Sequence, residues 1–520
     1  MGARVEPVIK PVKTFGIAAI LIVAMLVAAP VVALLSKAEF GGWAVAAGPA
    51  IRFTLLQAAL SALISVALAV PLARALMRRS FPGRGLMISL MGAPFLLPSI
   101  VAVFGLLAIW GRSGVASDML ANVGLGPLDI YGLKGVLLAH VFFNLPLATR
   151  MLLQGWNAVP AEHFRLAAQL GLTPRARFRL IEAPVLRGTA PSALLVIFML
   201  SMSSFAVVLA LGGGPKASTI ELAIYQALRF EFDLASAAQL AIVQLLIGLV
   251  AAALAFHFGR AARLGGSLGA PVQFWDTRLW PRLLDGALLI LAAGFVLLPL
   301  LAILLDGLAG LATGLPRGLL AALAVSLGIA LASTALALAL ALAIAQLVDA
   351  SKRGTLIEIS VMLLLATSPF VIGTGLFILV TPFASPFALA LPITALVNAA
   401  LALPIMLRII RPALARVRTN YGILADGLGL QGWARFKLLT WPQIRPELGF
   451  ATGLAAALSM GDLGVITLFA PPDVQTLPLL MYRLMGSYRM DAAAGVALVL
   501  VASSFALFYL CDKGGRRAGA

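Results

Sequence analysis

The chain has 520 residues, of which 62% are hydrophobic and 11% charged, with a mean hydropathy of +1.05 and a formal net charge of +18. So apolar a composition excludes a soluble globular protein and makes a lipid bilayer the solvent. The basic excess lies in short clusters between apolar runs, which argues against a nucleic-acid surface and for membrane topology.

About twelve apolar stretches of spanning length follow one another. Those of the first half centre near Met25, Ile64, Ser99, Phe142, Leu200 and Gly248, those of the second near Val296, Ser333, Pro369, Ala399, Ser459 and Val501. The first, Phe15 to Leu35, is too long for the core of a signal peptide and reads as a retained anchor. The third contains Pro94, Pro98 and Gly105 and is expected to be broken or tilted. Arg4, Lys10, Lys13, Arg74, Arg78, Arg79 and Arg84 fall on one side if the N-terminus is cytoplasmic, so both termini are expected inside. Gly212-Gly213-Gly214-Pro215 reads as an outer turn, and Phe230, Glu231, Phe232 and Asp233 as an outer loop. Glu358 is expected at a helix end near the interface.

The second half repeats the first at an offset of 258 residues, Leu166 to Leu424. Ala167 falls on Ala425 and Gly171 on Gly429. Ala176-Arg177-Phe178 falls on Ala434-Arg435-Phe436, Ile181 on Leu439, and Pro184 on Pro442. Flanking apolar segments match too, as Leu145-Pro146 with Leu403-Pro404. A period of half the chain is a duplicated unit. The expected organisation is a first half over 1–262, a polar linker over 263–284 and a second half over 285–520. The repeated loops cover 160–187 and 418–445. About six spans per half return the chain to the same side, so the copies are parallel, related by an axis along the membrane normal with a pathway between them. The fold class is an all-α polytopic membrane bundle.

Each loop has its own local logic. Ala161 to Leu170 favours helix, and Gly171 supplies the left-handed residue that stops it. Thr173 is a helix cap, Pro174 a first-turn proline, and Pro184 is expected to end the second helix. Phe178, or Phe436 in the second copy, is expected to project as an apolar knob. Two copies with the same spacing suggest paired docking points for a two-fold soluble partner.

These loops resemble the coupling motif of permease subunits of binding-protein-dependent ABC importers. That consensus is Glu-Ala-Ala, three residues, Gly, nine residues, Ile, one residue, Leu-Pro. Arg165-Leu166-Ala167, Gly171, Ile181 and Ala183-Pro184 take those places in the first copy. In the second they are Ile423-Leu424-Ala425, Gly429, Leu439 and Trp441-Pro442, and the leading glutamate is absent from both. The full chain is similar to the fused two-half permeases of thiamine and thiamine pyrophosphate importers. The strings that carry this are Arg78-Arg79-Ser-Phe-Pro-Gly-Arg84, Leu138-Ala-His-Val-Phe-Phe-Asn-Leu-Pro146, Thr219-Ile-Glu-Leu-Ala-Ile-Tyr225 and Leu458-Ser-Met-Gly-Asp-Leu-Gly464. Fused permeases for ferric iron and phosphonates share the layout. The resemblance implies a type I importer fold in the bacterial inner membrane and a small-molecule substrate. It also implies a periplasmic binding protein and two copies of a cytoplasmic ABC ATPase on the coupling loops. Of the eight lysines only Lys13 precedes Ser or Thr, without the glycine of a phosphate-binding loop, so ATP is not bound here in that manner.

Polar residues within apolar runs mark a candidate pathway. His140 and Asn144 lie a turn apart on one helix, with Asn398 at the duplicate of His140. Ser203 and Ser204 correspond to Gly461 and Asp462, beside Ser459. These groups either meet a substrate or tie helices together, and Asp462 either faces the fixed positive charge of a thiazolium or holds backbone amides. His140, His163 and His257 are scattered and Cys511 is the only cysteine, so neither a metal, a cofactor nor catalytic machinery is expected. An ion-coupled secondary transporter shares the two-half architecture but leaves the twin loops unexplained.

Overall fold

The computed structural model describes residues 10–38, 43–214, 217–258, 279–351 and 354–516. Arg4, Pro215 and linker positions 263–278 lie outside the described residues. Among the described residues every regular element is a helix. Eleven helices among the described residues are long and apolar enough to cross a membrane. The expected twelfth span, near Pro369, is a shorter helix, Pro369–Val380.

That shortening has a local cause which recurs in the third span. Pro98 sits extended (φ −55°, ψ 133°) and Ser368 likewise (φ −68°, ψ 146°). Proline disfavours the helical conformation in the residue before it and lacks the amide a continuing helix requires. The third segment is therefore broken into Arg84–Leu90, Ala93–Leu96 and Ser99–Trp110. Gly354–Met362, a turn of tighter helix and Pro369–Val380 form the same succession in the second half. Glu358 lies in the short helix there, ion-paired with Arg411.

The chain packs as two compact units, and neither is a contiguous stretch of sequence. One comprises residues 44–223 and 246–306. Its core includes Leu72, Leu76, Leu152, Trp156, Ile197 and Val296. Helix Leu279–Ala312 contributes to it closely: Phe295 meets Phe142 edge-on at 6.0 Å, and Gly105 has no room for a Cβ beside the Pro299 carbonyl. The other unit comprises residues 1–43, 224–245 and 307–520. It takes in the first helix, Lys10–Lys37. A Cβ on Gly375 would lie 2.4 Å from the Pro30 ring, and one on Gly16 2.7 Å from Leu347 Cβ. Small residues allow such approach between apolar helices, where no hydrophobic force distinguishes a neighbour from lipid. Gly449 against Gly515, and Gly453 against Phe508, bring helices Trp441–Met460 and Met490–Arg516 together in the same way. Each unit thus contains the opening helix of the other sequence half.

Candidate coupling loops and candidate transport pathway

The two repeated loops have the same geometry at the same offset. Gly171 and Gly429 both sit at φ +64°. Leu172 N–H donates to the Ala167 carbonyl at 3.0 Å, and Gly171 N–H to that of Ala168 at 3.1 Å. In the second copy Leu430 donates to Ala425 at 2.9 Å and Gly429 to Asp426 at 3.1 Å. This pair of bonds closes a helix end that needs a left-handed residue, which glycine adopts without steric cost. Ala167 and Ala425 are buried beneath it. Thr173 then accepts from Ala176 N–H at 3.3 Å as the expected cap.

A single helical turn follows, Pro174–Arg177 or Gly432–Arg435, and then five residues wound as π-helix, Phe178–Glu182 or Phe436–Thr440. Pro184 does not end the helix, contrary to expectation. Together with Pro442 it stands in the first turn of a long helix, Ala183–Met202 or Trp441–Met460. Proline carries no amide hydrogen, and the first turn requires none. Each loop is therefore continuous with the helix it feeds.

Phe178 and Phe436 are half-buried rather than projecting. The Arg74 guanidinium lies 5.2 Å from the Phe178 ring and pairs with the fully buried Glu182 at 2.5 Å. Trp156 donates its indole N–H to the Glu182 carbonyl at 3.3 Å. Phe436 instead stacks on Trp433 at 5.4 Å, and Arg435 pairs with Asp426 at 2.9 Å. Ile181, Leu439, Ala176 and Arg177 are half-buried, and Ala434 is exposed. Ile423 and Trp433 reach solvent in the second copy, and three leucines do so in both copies. Leu166, Leu170 and Leu180 are 54%, 67% and 63% exposed, and their duplicates Leu424, Leu428 and Leu438 are 59%, 66% and 65% exposed. Leu166, Leu170 and Leu180 border a cleft of about 400 Å3 together with His163 and Val185. Leucine at all six positions was the available sequence signal.

The pathway candidates form two polar networks, one in each unit. His140 bridges Ser61 (Nδ1, 2.8 Å) and Ser204 (Nε2, 2.7 Å). Asn144 donates to Ser201 Oγ at 3.0 Å, and Gln57 to the Ser201 carbonyl at 2.9 Å. In the other unit Asn398 and Ser333 both donate to Ser459 Oγ, at 3.1 and 2.8 Å. His140, Asn144 and Asn398 thus tie helices together and are buried. Ser203 is exposed, in a break between helix Ala183–Met202 and helix Phe205–Leu211. Asp462 occupies the equivalent break before helix Gly464–Phe469. Its Oδ1 accepts from Gly464 N–H at 3.1 Å and from Val465 N–H at 3.4 Å. Its Oδ2 is buried without a hydrogen bond of good geometry, beside the Asn398 amide. Among the described residues no cluster of potential metal ligands occurs.

In the loop before helix Leu234–Phe258, Phe230 and Phe232 are 69% and 64% exposed. Asp233 accepts from Ser236 N–H at 3.0 Å as the cap of the next helix, and its hydrogen bonds to Ser236 hold it below the ordinary carboxylate range. Gly213 and Gly214 take positive φ, as a tight turn requires.

Spanning helices, interrupted helices with polar breaks, and twin exposed loops continuous with those helices define a multi-pass membrane transport permease. No family model matches the chain. Comparison with known proteins narrows the class. The chain is 41% identical over 535 residues to the thiamine transport system permease protein ThiP of Brucella abortus, spanning 98% of this chain and 96% of that one. It is 38% identical over 527 residues to ThiP of Salmonella typhimurium, spanning 99% and 98%. The ThiP of Escherichia coli is 39% identical over 478 residues, 89% and 88% of the two chains. The chain belongs to the family of thiamine transport system permease proteins.

Proposed function

We propose that this permease is the membrane subunit of an ATP-driven importer that carries thiamine, its phosphates or both across the bacterial inner membrane into the cytoplasm. Two copies of a separate ATPase grip the loops around Gly171 and Gly429, and a periplasmic binding protein delivers substrate at the opposite face. Both termini lie in the cytoplasm.

The observation that carries the reading is the pair of loops with the same glycine-closed helix end, the same π-turn and matching exposed leucines. A soluble partner buries such leucines with a gain of about 2 kcal/mol each. Because each loop runs through a π-turn into a long helix without a flexible joint, displacement of the loop displaces Ala183–Met202 or Trp441–Met460. Those helices end at the breaks holding Ser203 and Asp462, so motion at the loop reaches the polar positions directly. Asp462 serves as counter-charge to the thiazolium ring, held in place by the amides on its Oδ1 and by the Asn398 amide beside it.

The test is uptake in whole cells together with ATP hydrolysis by the purified assembly. Leu170→Asp combined with Leu428→Asp places charge on exposed positions and leaves folding intact. Uptake and transport-linked hydrolysis are expected to fall by more than tenfold while the protein remains in the membrane. Normal uptake by this variant would remove the coupling assignment.

A further inference from the structure

The face of the unit formed by residues 44–223 and 246–306 carries a second feature, unrelated to the coupling loops. A cleft of about 810 Å3 opens between the turn that follows helix Trp43–Arg78 and the beginning of helix Leu279–Ala312. Its two ends differ in chemistry. At one end stand Arg78, Arg79 and Arg282, and at the other the walls are Leu86, Leu90, Ile290, Ala293 and Leu297. The left-handed Gly83 (φ +86°) turns the chain so that helix Arg84–Leu90 forms one wall. Leu86 and Ile290 are 76% and 74% exposed there.

The basic end is only partly neutralised. Arg78 and Arg79 each reach one oxygen of the buried Asp285, both at 2.7 Å. Asp285 answers Arg78 and Arg79, Glu182 adds negative charge near Arg78, and among the described residues Arg282 has no acidic partner. Arg78 Nε and Arg84 Nη2 are buried without a hydrogen-bond acceptor. Arg84 spends its Nε on the Leu76 carbonyl at 2.9 Å. Arg282, exposed at the mouth of the cleft beside Arg78 and Arg79, leaves that end positive and points to an anion that comes from outside the chain.

The length of the cleft selects the kind of acceptor. From Arg282 to Leu297 the helix rises roughly 22 Å, at 1.5 Å per residue. One leaflet is about 15 Å of hydrocarbon plus its headgroup layer, which matches that span. A small free anion would leave the apolar walls unoccupied. We propose that this cleft is a binding site for one anionic phospholipid, its phosphates at Arg78, Arg79 and Arg282 and an acyl chain along Ile290, Ala293 and Leu297. The leaflet is the cytoplasmic one, a point that rests on the orientation proposed above, whereas the site itself does not. The lipid supplies an acceptor for Arg282 and fastens the turn at Gly83 to the helix that begins at Leu279.

Native mass spectrometry of the full chain, equilibrated with an equal mixture of phosphatidylglycerol and phosphatidylcholine, tests the site. Thermal unfolding in vesicles of phosphatidylcholine with and without phosphatidylglycerol accompanies it. Preferential retention of phosphatidylglycerol and a raised unfolding midpoint are expected for the native chain. Arg282→Gln, at an exposed position, is expected to cut that preference about fivefold. Ala293→Phe fills the cleft and should abolish the preference, with its midpoint in pure phosphatidylcholine confirming that it folds. Equal retention of the two lipids, or a preference that Arg282→Gln leaves unchanged, overturns the proposal. So does inorganic phosphate alone if it reproduces the stabilisation, since the site would then hold a free anion.

Discussion

Asp462 and Glu182 are both carboxylates placed in apolar surroundings, and their neighbours assign them different work. Glu182 is fully buried and answered by Arg74 at 2.5 Å, so its charge is consumed inside the protein. Removing one partner of such a pair leaves the other buried and uncompensated, at a cost of about 3 kcal/mol. Glu182→Gln should therefore lower the unfolding midpoint of the purified protein markedly, and Glu182→Gln with Arg74→Met should recover much of it. Asp462 bonds two amides through one oxygen and keeps the other unsatisfied. Asp462→Asn preserves the amide-accepting oxygen and removes only the charge. Uptake of cationic thiamine should fall several-fold with little change in stability, whereas unaltered uptake kinetics would make Asp462 a purely structural cap. The sequence singled out Asp462, but the pairing of Glu182 with Arg74 joins residues distant in sequence and had no local signature.

At the scale of elements, the loops were largely legible because their geometry is local. A glycine, a capping threonine and a proline at set spacing dictate where one helix stops and the next begins. Gly171→Ala forces a side chain into the left-handed region and should cost about 1 kcal/mol, read from thermal unfolding. The π-turns escaped notice, since nothing in Phe-Arg-Leu-Ile-Glu or Phe-Lys-Leu-Leu-Thr marks five residues for wider winding. With them went the role of Pro184, which depends on the turn preceding it. A further correspondence emerges only from contacts. Thr54 Oγ1 accepts from Ile220 N–H at 2.9 Å in one unit, and Ser326 Oγ from Leu477 N–H at 2.8 Å in the other. Each hydroxyl satisfies an amide at the start of a short helix that has no partner within its own helix. Ser326→Ala should cost about 1–2 kcal/mol and loosen helix Leu477–Gly486, measurable as faster amide exchange there. Thr54 and Ser326 do not align at the offset of the loops, so comparison of the halves at one fixed spacing passes over them.

For the whole molecule, the most consequential fact is the exchange of opening helices between the two compact units. Lys10–Lys37 packs through Gly16 and Pro30 with later helices, and the stretch from Leu279 to Asp306 packs through Phe295 and Pro299 with earlier ones. Either sequence half alone would lack a helix that its unit requires. A chain divided within 263–278 should accordingly be degraded when either piece is made alone. Co-expression should restore both pieces to the membrane and recover uptake, and a stable, separately folded first piece would contradict the exchange. The sequence by itself determined the solvent, the spanning helices, the duplication and the paired loops, because each follows from composition or from residues within a few turns of one another. Only the tertiary structure decided which helices share a unit, which polar side chains satisfy each other, and where unanswered guanidinium groups line a cleft. Those outcomes depend on close approach between distant segments, and in a bilayer an apolar helix surface is satisfied by lipid as readily as by another helix, so hydropathy alone cannot select its neighbour.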